Sequence, residues 1–215
     1  MNIIGDIAGN YKTLMALVAQ MPDEPFMSLG DMIDRGPRSK EVLDFFMKPG
    51  NSAILGNHEH MMLSYCKDLH YYGSDIWLYR NGGMATKNSF MSESPDENFV
   101  TAKKLIPEVY LEWLSSLPFF YETEDLFVSH AAKNPILSMK RVMDQSDYDD
   151  NILWNRGNPR RMPGKFQVYG HNYGNGKMHK DEQGDFAICI DATGHKKIMG
   201  IHWPSKQIYT QDFID

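Results

Sequence analysis

The sequence predicts an α/β fold, a sheet covered by helices. Three observations carry that prediction. Short apolar runs alternate with stretches of helical period over the first sixty residues. Each of these apolar runs ends in a glycine followed by a polar residue. Strand-like runs then return in the second half, after a middle region of helical character.

The elements follow in order. Residues 2–4 read as a strand closed by Gly5-Asp6. Tyr11, Leu14, Leu17 and Val18 fall at helical spacing, and Pro22 ends that helix. Residues 26–29 read as a second strand, again followed by Gly-Asp, and 39–46 as a helix with Val42, Leu43 and Phe46 inward. A third strand over 52–55 is followed by Gly56-Asn57-His58-Glu59, read as a polar loop like the other two. In such sheets ligands gather beyond the carboxyl ends of the strands. Residues 61–118 read as mainly helical and irregular, with an amphipathic helix over 106–117 stopped by Pro118. Strands are expected at 119–121, 126–129, 167–169, 186–190, 198–201 and 207–210, the first three running into Glu122, His130 and Gly170-His171. The last three are expected to form an antiparallel meander. No repeat, low-complexity tract or interdomain linker is apparent, so a single domain over 1–215 is expected.

A chain of 215 residues can bury a sizeable core as one domain. No apolar run approaches the ~18 residues that span a bilayer, and no basic stretch precedes an apolar leader, so no signal peptide is expected. Two cysteines, Cys66 and Cys189, make no disulfide framework and fit a reducing, cytoplasmic location. The net charge of −6 argues against bulk nucleic-acid or anionic-membrane binding. It leaves open a small phosphorylated substrate held by a local metal cluster.

Five polar residues follow strands: Asp6, Asp31, Asn57, His130 and His171. Singly, an Asp after Gly is most often a turn residue, and a lone His is most often structural. Together they form a mixed oxygen and nitrogen set that suits manganese, iron or zinc better than calcium or magnesium. One carboxylate can bridge two ions at ~3.5–4 Å, as in two-metal hydrolases. His60, His70, His179, His195 and His202 have no comparable setting and read as structural or surface residues.

Two stretches go further. "GDMIDRGPRS" (30–39) places Asp31, Asp34 and Arg35 on one loop, and "GNHEHMM" (56–62) places His58 beside Asn57. The order GDIAG, GDMIDRG, GNHE, then SHA and GH after later strands, resembles the phosphoprotein phosphatase family of metallophosphoesterases, its small bacterial and phage members most of all. "WLYRNGGMAT" (77–86), "LEWLSSLPFFYETEDLFVSHA" (111–131), "ILWNRG" (152–157) and "VYGHN" (168–172) fall in the family's order, so the likeness covers nearly the whole chain. It implies an α/β sandwich of two mixed β-sheets flanked by helices. It also implies two divalent transition-metal ions, manganese with iron or zinc as alternatives. Asp6 would hold the first, Asp31 would bridge, and Asn57, His130 and His171 would complete the second. His58 would be the general acid, oriented by Asp34, and Arg35 and Arg156 would bind the substrate phosphate. For Arg156 a surface salt bridge is the plainer reading.

The implied activity is a phosphomonoesterase acting on phosphoserine or phosphothreonine, and on phosphotyrosine as a further option, through metal-activated water. Neither cysteine sits in a phosphate-binding signature loop, so no phosphoenzyme is expected. Glu59 favours protein substrates, because the related dinucleoside polyphosphate hydrolases resemble GNHD more often. Such a hydrolase, cleaving diadenosine tetraphosphate, is the alternative. Its adenine pocket would come from 61–118, where Tyr65, Tyr71, Tyr72, Trp77 and Tyr79 are candidates but read more simply as core and surface aromatics. Glu93, Asp96 and Glu97 read as a solvated loop. A third reading, from another class, is a non-catalytic phosphate-recognition module.

That third reading arises from one departure. The family writes its first motif GDxHG, with His as a ligand of the first metal, and this chain has Ala8 there. A methyl group cannot coordinate, so the first site is expected to be weakened; even losses around a ligand cost ~10–100-fold in affinity. Ala8 is then an introduced inactivating change, a natural residue whose metal is recruited with substrate phosphate, or a mark of lost chemistry. Milder departures are Ala131-Ala132, where the family more often has Ala-Gly, and "CIDATGHKK" (189–197), which resembles an Asp-Thr-Gly stretch with Ala192 added.

Overall fold

Buried apolar residues of the strands and helices build the molecule in layers. The structure is a computed structural model that describes residues 1–67, 74–91, 101–133 and 152–215. Its elements run β1 (Asn2–Ile4), α1 (Tyr11–Val18), β2 (Phe26–Ser28), α2 (Ser39–Phe46), β3 (Ser52–Ala53) and α3 (Asn57–Cys66). Next come α4 (Ser74–Arg80), α5 (Gly83–Ser89), α6 (Ala102–Leu105), α7 (Glu108–Ser116), β4 (Phe120–Glu122) and β5 (Leu126–Ser129). The chain ends with β6 (Phe166–Tyr169), β7 (Lys177–Asp181), β8 (Gly184–Cys189), β9 (Lys197–His202) and β10 (Gln207–Asp212). Two five-stranded mixed sheets result, ordered β10-β9-β1-β2-β3 and β4-β5-β6-β8-β7.

Ile3, Met27 and Ile54 of the first sheet meet Leu126, Val128, Phe166, Val168 and Ile188 of the second in one buried layer. The residues between them point the other way, as the strand period requires. Ile4 joins the layer under the helices, with Leu14, Leu17, Val42, Leu43, Phe46 and Leu114. Phe127 packs with Ile152, Leu153 and Met162 on the far side of the second sheet. Full burial of such a side chain contributes roughly 1.5–3 kcal/mol, so the inter-sheet layer and the larger layer under the helices together hold the molecule.

Two expectations need correction. Asn57-His58-Glu59 is not a loop but the first turn of α3, and the Glu59 carboxylate accepts the N–H of Gly56, the residue that opens the helix, at 3.1 Å. The expected meander of the last three strands also fails. β8 pairs in parallel with β6 and antiparallel with β7, in the second sheet, whereas β9 and β10 pair with each other and β9 with β1. The strand β7 was not anticipated: its residues KMHKD are exposed or half-buried, so no apolar alternation marks it. His70, Tyr71, Tyr72, Glu93, Asp96 and Glu97 lie outside the described residues.

Candidate metal centre and active site

Three parallel strands of one sheet and three of the other point their carboxyl ends at the same place. From the first sheet, β1 delivers Asp6, β2 delivers Asp31 and β3 leads to Asn57. From the second, β5 delivers His130, β6 delivers His171 and β8 leads to Asp191. All six are buried. Asp6, Ala8 and His171 come close because Gly170 has no side chain: a Cβ there would stand 2.2 Å from Asp6 Oδ1. Ala8, Asp31, Asp34, Arg35 and His171 all adopt left-handed backbone, at φ 50, 49, 75, 63 and 66°. Such conformations are uncommon for residues with a Cβ and cluster at functional sites.

The structure brings every sequence-predicted site residue except Asp34 and His130 into the lining of one cavity: Asp6, Asp31, Arg35, Asn57, His58, Arg156 and His171. Asp34 and His130 stand directly behind it. Nε2 of His130 is 2.8 Å from Asn57 Oδ1 and 3.3 Å from Asp31 Oδ1. Its Nδ1 lies 3.0 Å from the Leu29 carbonyl, a contact that aims the ring so that Nε2 faces the cluster. Arg156 is exposed but lines the cavity, and its Nη1 donates to the His171 carbonyl at 3.4 Å.

A metal ion fits one half of this arrangement. The ligand atoms of Asp31, His130 and His171 lie within 4.8 Å of one another. Nε2 of His171 is buried with no hydrogen-bond partner. Burial and the neighbouring His130 push this imidazole down to about 3, so it is neutral and able to donate a lone pair. With the Asn57 oxygen, these three make a carboxylate, amide and two-imidazole set. The other half is short of ligands. Burial, with Asp191 and Asp31 nearby, holds Asp6 well above the usual carboxylate range, and Ala8 offers only a methyl group. Asp6 and Asp31 alone do not complete a first site.

Beside the cluster lies a proton-bearing pair. His58 Nδ1 is 2.6 Å from Asp34 Oδ2. Burial alone would lower the His58 pKa, but Asp31 and Asp34 outweigh it and raise it to about 9. Burial alone would raise Asp31, but His130, His58 and His171 hold it at about 2. Arg35 Nη2 stands 3.0 Å from His58 Nε2. Both groups are donors when His58 is charged, so together they present two N–H groups to an acceptor. An anionic oxygen between the two would satisfy both.

Sequence reasoning missed the residues that hold this pair. Trp77 Nε1 donates to Asp34 Oδ2 at 2.8 Å, and Thr86 Oγ1 donates to Asp34 Oδ1 at 2.5 Å. Thr86 Oγ1 and Ser39 Oγ both accept from the Asp34 N–H, at 2.9 and 3.0 Å. Trp77 was read as a core or base-stacking aromatic; it is a fully buried donor. Tyr65 packs on it at 5.3 Å, and Tyr79 is exposed. Glu59 was read as a substrate discriminator. Its buried carboxylate instead accepts the N–H groups of Gly56, Asp31, Met32 and Ile33, at 3.1, 2.8, 2.7 and 3.3 Å, and so shapes the loop that carries Asp31 and Asp34. The quoted "WLYRNGGMAT" already contained Trp77 and Thr86, but their spacing gave no sign of a shared partner.

Two mixed sheets with convergent carboxyl ends, and a carboxylate–imidazole–amide cluster there, define a metallophosphoesterase. The chain belongs to the calcineurin-like phosphoesterase family, whose model matches residues 2–195. It is similar to the symmetrical bis(5'-nucleosyl)-tetraphosphatase of Vibrio vulnificus, 32% identical over 139 residues, 62% of this chain and 44% of that one. It is also similar to serine/threonine-protein phosphatase 2 of Escherichia coli, 40% identical over 65 residues, 28% of this chain and 30% of that one. The chain thus spans less than half the length of these relatives. In fold it matches a solved structure provisionally assigned as a diadenosine tetraphosphatase, with TM-score 0.69 and 19% identity, over 100% of this chain and 94% of that one.

Proposed function

We propose that this chain hydrolyses phosphoric esters or anhydrides, with His58 giving a proton to the leaving oxygen and Arg35 and Arg156 holding the phosphoryl group. The observation that carries this reading is the line Asp34–His58–Arg35, at 2.6 and 3.0 Å, on the wall of the cavity that Asp31, Asn57 and His171 share. Asp31, Asn57, His130 and His171 would hold the better-bound ion, and Asp6 with Asp31 a weaker one. When bound, divalent ions, manganese with iron or zinc as alternatives, would neutralise charge on the phosphoryl group and make water acidic enough to supply hydroxide near neutral pH.

The chain's own residues perform the rest. As the bond from water to phosphorus forms and the bond to the leaving oxygen breaks, that oxygen takes the proton of His58 Nε2. Nδ1 stays on Asp34, which keeps the imidazole aimed and favours its charged form. The guanidinium groups of Arg35 and Arg156 pair with phosphoryl oxygens and fix the in-line approach. No covalent phosphoenzyme forms. Cys189 is buried with its thiol pushed up to about 12, and Cys66 ends α3 away from the cavity lining.

For the substrate, a dinucleoside polyphosphate is the better supported class, because relatives such as that of Vibrio vulnificus carry that activity in their names. Glu59 speaks for protein substrates only through the resemblance of the GNHE motif; its carboxylate faces the backbone of the 31–33 loop. A phosphoprotein monoesterase remains the second reading, on the Escherichia coli phosphatase match. Turnover of diadenosine tetraphosphate and of a phosphoserine peptide, with manganese titrated in, tests both. Release of ADP from the dinucleotide is expected, and phosphate from the peptide alone would transfer the assignment to the second reading. His58→Ala should lower the rate by about 10²–10⁴. Binding of phosphate without turnover of either substrate, at every manganese level, would instead leave a recognition module.

A further inference from the structure

One side chain at the cavity differs in kind from its neighbours. Asp6, Asp31, Arg35, His58 and Arg156 make a charged wall, and Tyr173 adds a large ring. This ring is 45% exposed, and Arg35 and Arg156 are exposed with it, while the other lining groups are buried polar residues.

Its backbone is held in an unfavourable place. Tyr173 has φ +49°, in the left-handed region where a glycine would sit without strain. The conformation is fixed by its N–H, which donates to Asp191 Oδ2 at 2.8 Å. Asp191 is fully buried, and its other oxygen accepts the N–H and hydroxyl of Thr193 at 3.0 and 2.7 Å. The ring itself is seated on Gly194, where a Cβ would stand 3.0 Å from Tyr173 Cδ1. The stretch "DATG" (191–194), which no step of the hydrolysis uses, therefore fixes both the backbone and the ring of Tyr173. Strained residues persist where their surroundings over-determine them, and such places are characteristically ligand clamps.

We infer that Tyr173 forms an aromatic subsite beside the phosphate cavity, which stacks on a planar ring carried by the phosphorylated substrate. The inference rests on the phosphoesterase reading and deepens it. Stacking on a fixed ring suits any flat π-system, so the ring is either a nucleobase or the aryl group of an aryl phosphate. A ring already held in place loses little freedom when the ligand arrives, which is why its anchoring matters.

Two pairs of non-hydrolysable probes separate the possibilities, each measured by calorimetric titration of the manganese-loaded chain. One pair is phenylphosphonate and methylphosphonate. The other is the α,β-methylene analogue of ADP and methylenediphosphonate. In the pair that matches the substrate, Tyr173→Ala should weaken the aromatic member by about tenfold and leave the other unchanged, and Tyr173→Phe should retain the wild-type affinities. The pair that responds identifies the source of the ring. Equal weakening of both members, or no weakening in either pair, overturns the subsite while leaving the phosphoesterase reading intact. Failure of all four probes to bind the wild-type chain overturns both.

Discussion

Position 8 should decide how many metal ions the site holds. Asp6 and Ala8 sit on the same turn; burial, with Asp191 and Asp31 nearby, raises Asp6, and Ala8 puts a methyl group where the family's motif has an imidazole. The wild-type chain should therefore bind one manganese ion tightly and a second only weakly. Ala8→His should bring the count to two, read by elemental analysis after desalting. Equal counts in both chains would mean that position 8 does not supply a ligand. The same scale holds a test of Asp34. Its two oxygens receive His58, Trp77 and Thr86, and its N–H reaches Thr86 and Ser39. Thr86 acts through Asp34 on His58, so it is a positioning residue, and its loss should matter most when the leaving oxygen is basic. Thr86→Val should slow an alkyl phosphate roughly tenfold or more but barely change an activated aryl phosphate, and Thr86→Ser should restore the rate. A uniform loss on both substrates would reduce Thr86 to a structural role.

At the level of elements, what could be read from the sequence depended on where each strand lies. β1, β2 and β5 were legible because their apolar runs are buried on both faces, and α2 because Val42, Leu43 and Phe46 repeat with the helix. The metal-ligand candidates were legible because each directly follows such a run. β7 was not, because an edge strand with one partner needs only backbone pairing and leaves no apolar pattern. The misplaced β8 has a different cause: strand patterns give each strand's faces but not its partner, and the sharing of Ile188 and Ile190 with the inter-sheet layer fits either sheet. Trp77, Thr86 and Asp191 stayed hidden because their role is a contact across more than fifteen residues of chain, or a turn beyond a strand. The two faces of β8 give a paired test. Ile188 is in the inter-sheet layer, and Ile188→Ala should cost about 2–5 kcal/mol in denaturant unfolding. Cys189, on the opposite face and 1% exposed, has its thiol pushed up to about 12 by burial. It should resist iodoacetamide in the native chain while half-buried Cys66 is modified first, a result that labelling of Cys189 at the native rate of Cys66 would contradict.

On the scale of the whole molecule, the candidate metal site is a seam. Asp31 and Asn57 follow strands of the first sheet, His130 and His171 follow strands of the second, and among the described residues no helix is long and apolar enough to cross a membrane. An ion bound by all four would join the two sheets at one end of their shared core, so metal binding should act as a global clamp. Manganese at about 100 times its dissociation constant should add about 2.7 kcal/mol to unfolding stability, seen as a rise in melting temperature that His130→Ala abolishes. The effect should depend on pH in a definite direction. In the metal-free fold His58 holds its proton up to about 9 against an ordinary 6.5. That stabilisation is fully present below about 6.5 and lost as pH rises through about 9, because the folded state binds the extra proton only in that window. The metal increment moves oppositely, since a cation in the adjoining ligand set disfavours the charged form of His58, so that ion binding is easier once this proton has left. The gap between manganese-loaded and metal-free melting temperatures should therefore widen from about pH 6.5 to about 9. A gap that narrows over that interval would show that the ion does not sit beside His58.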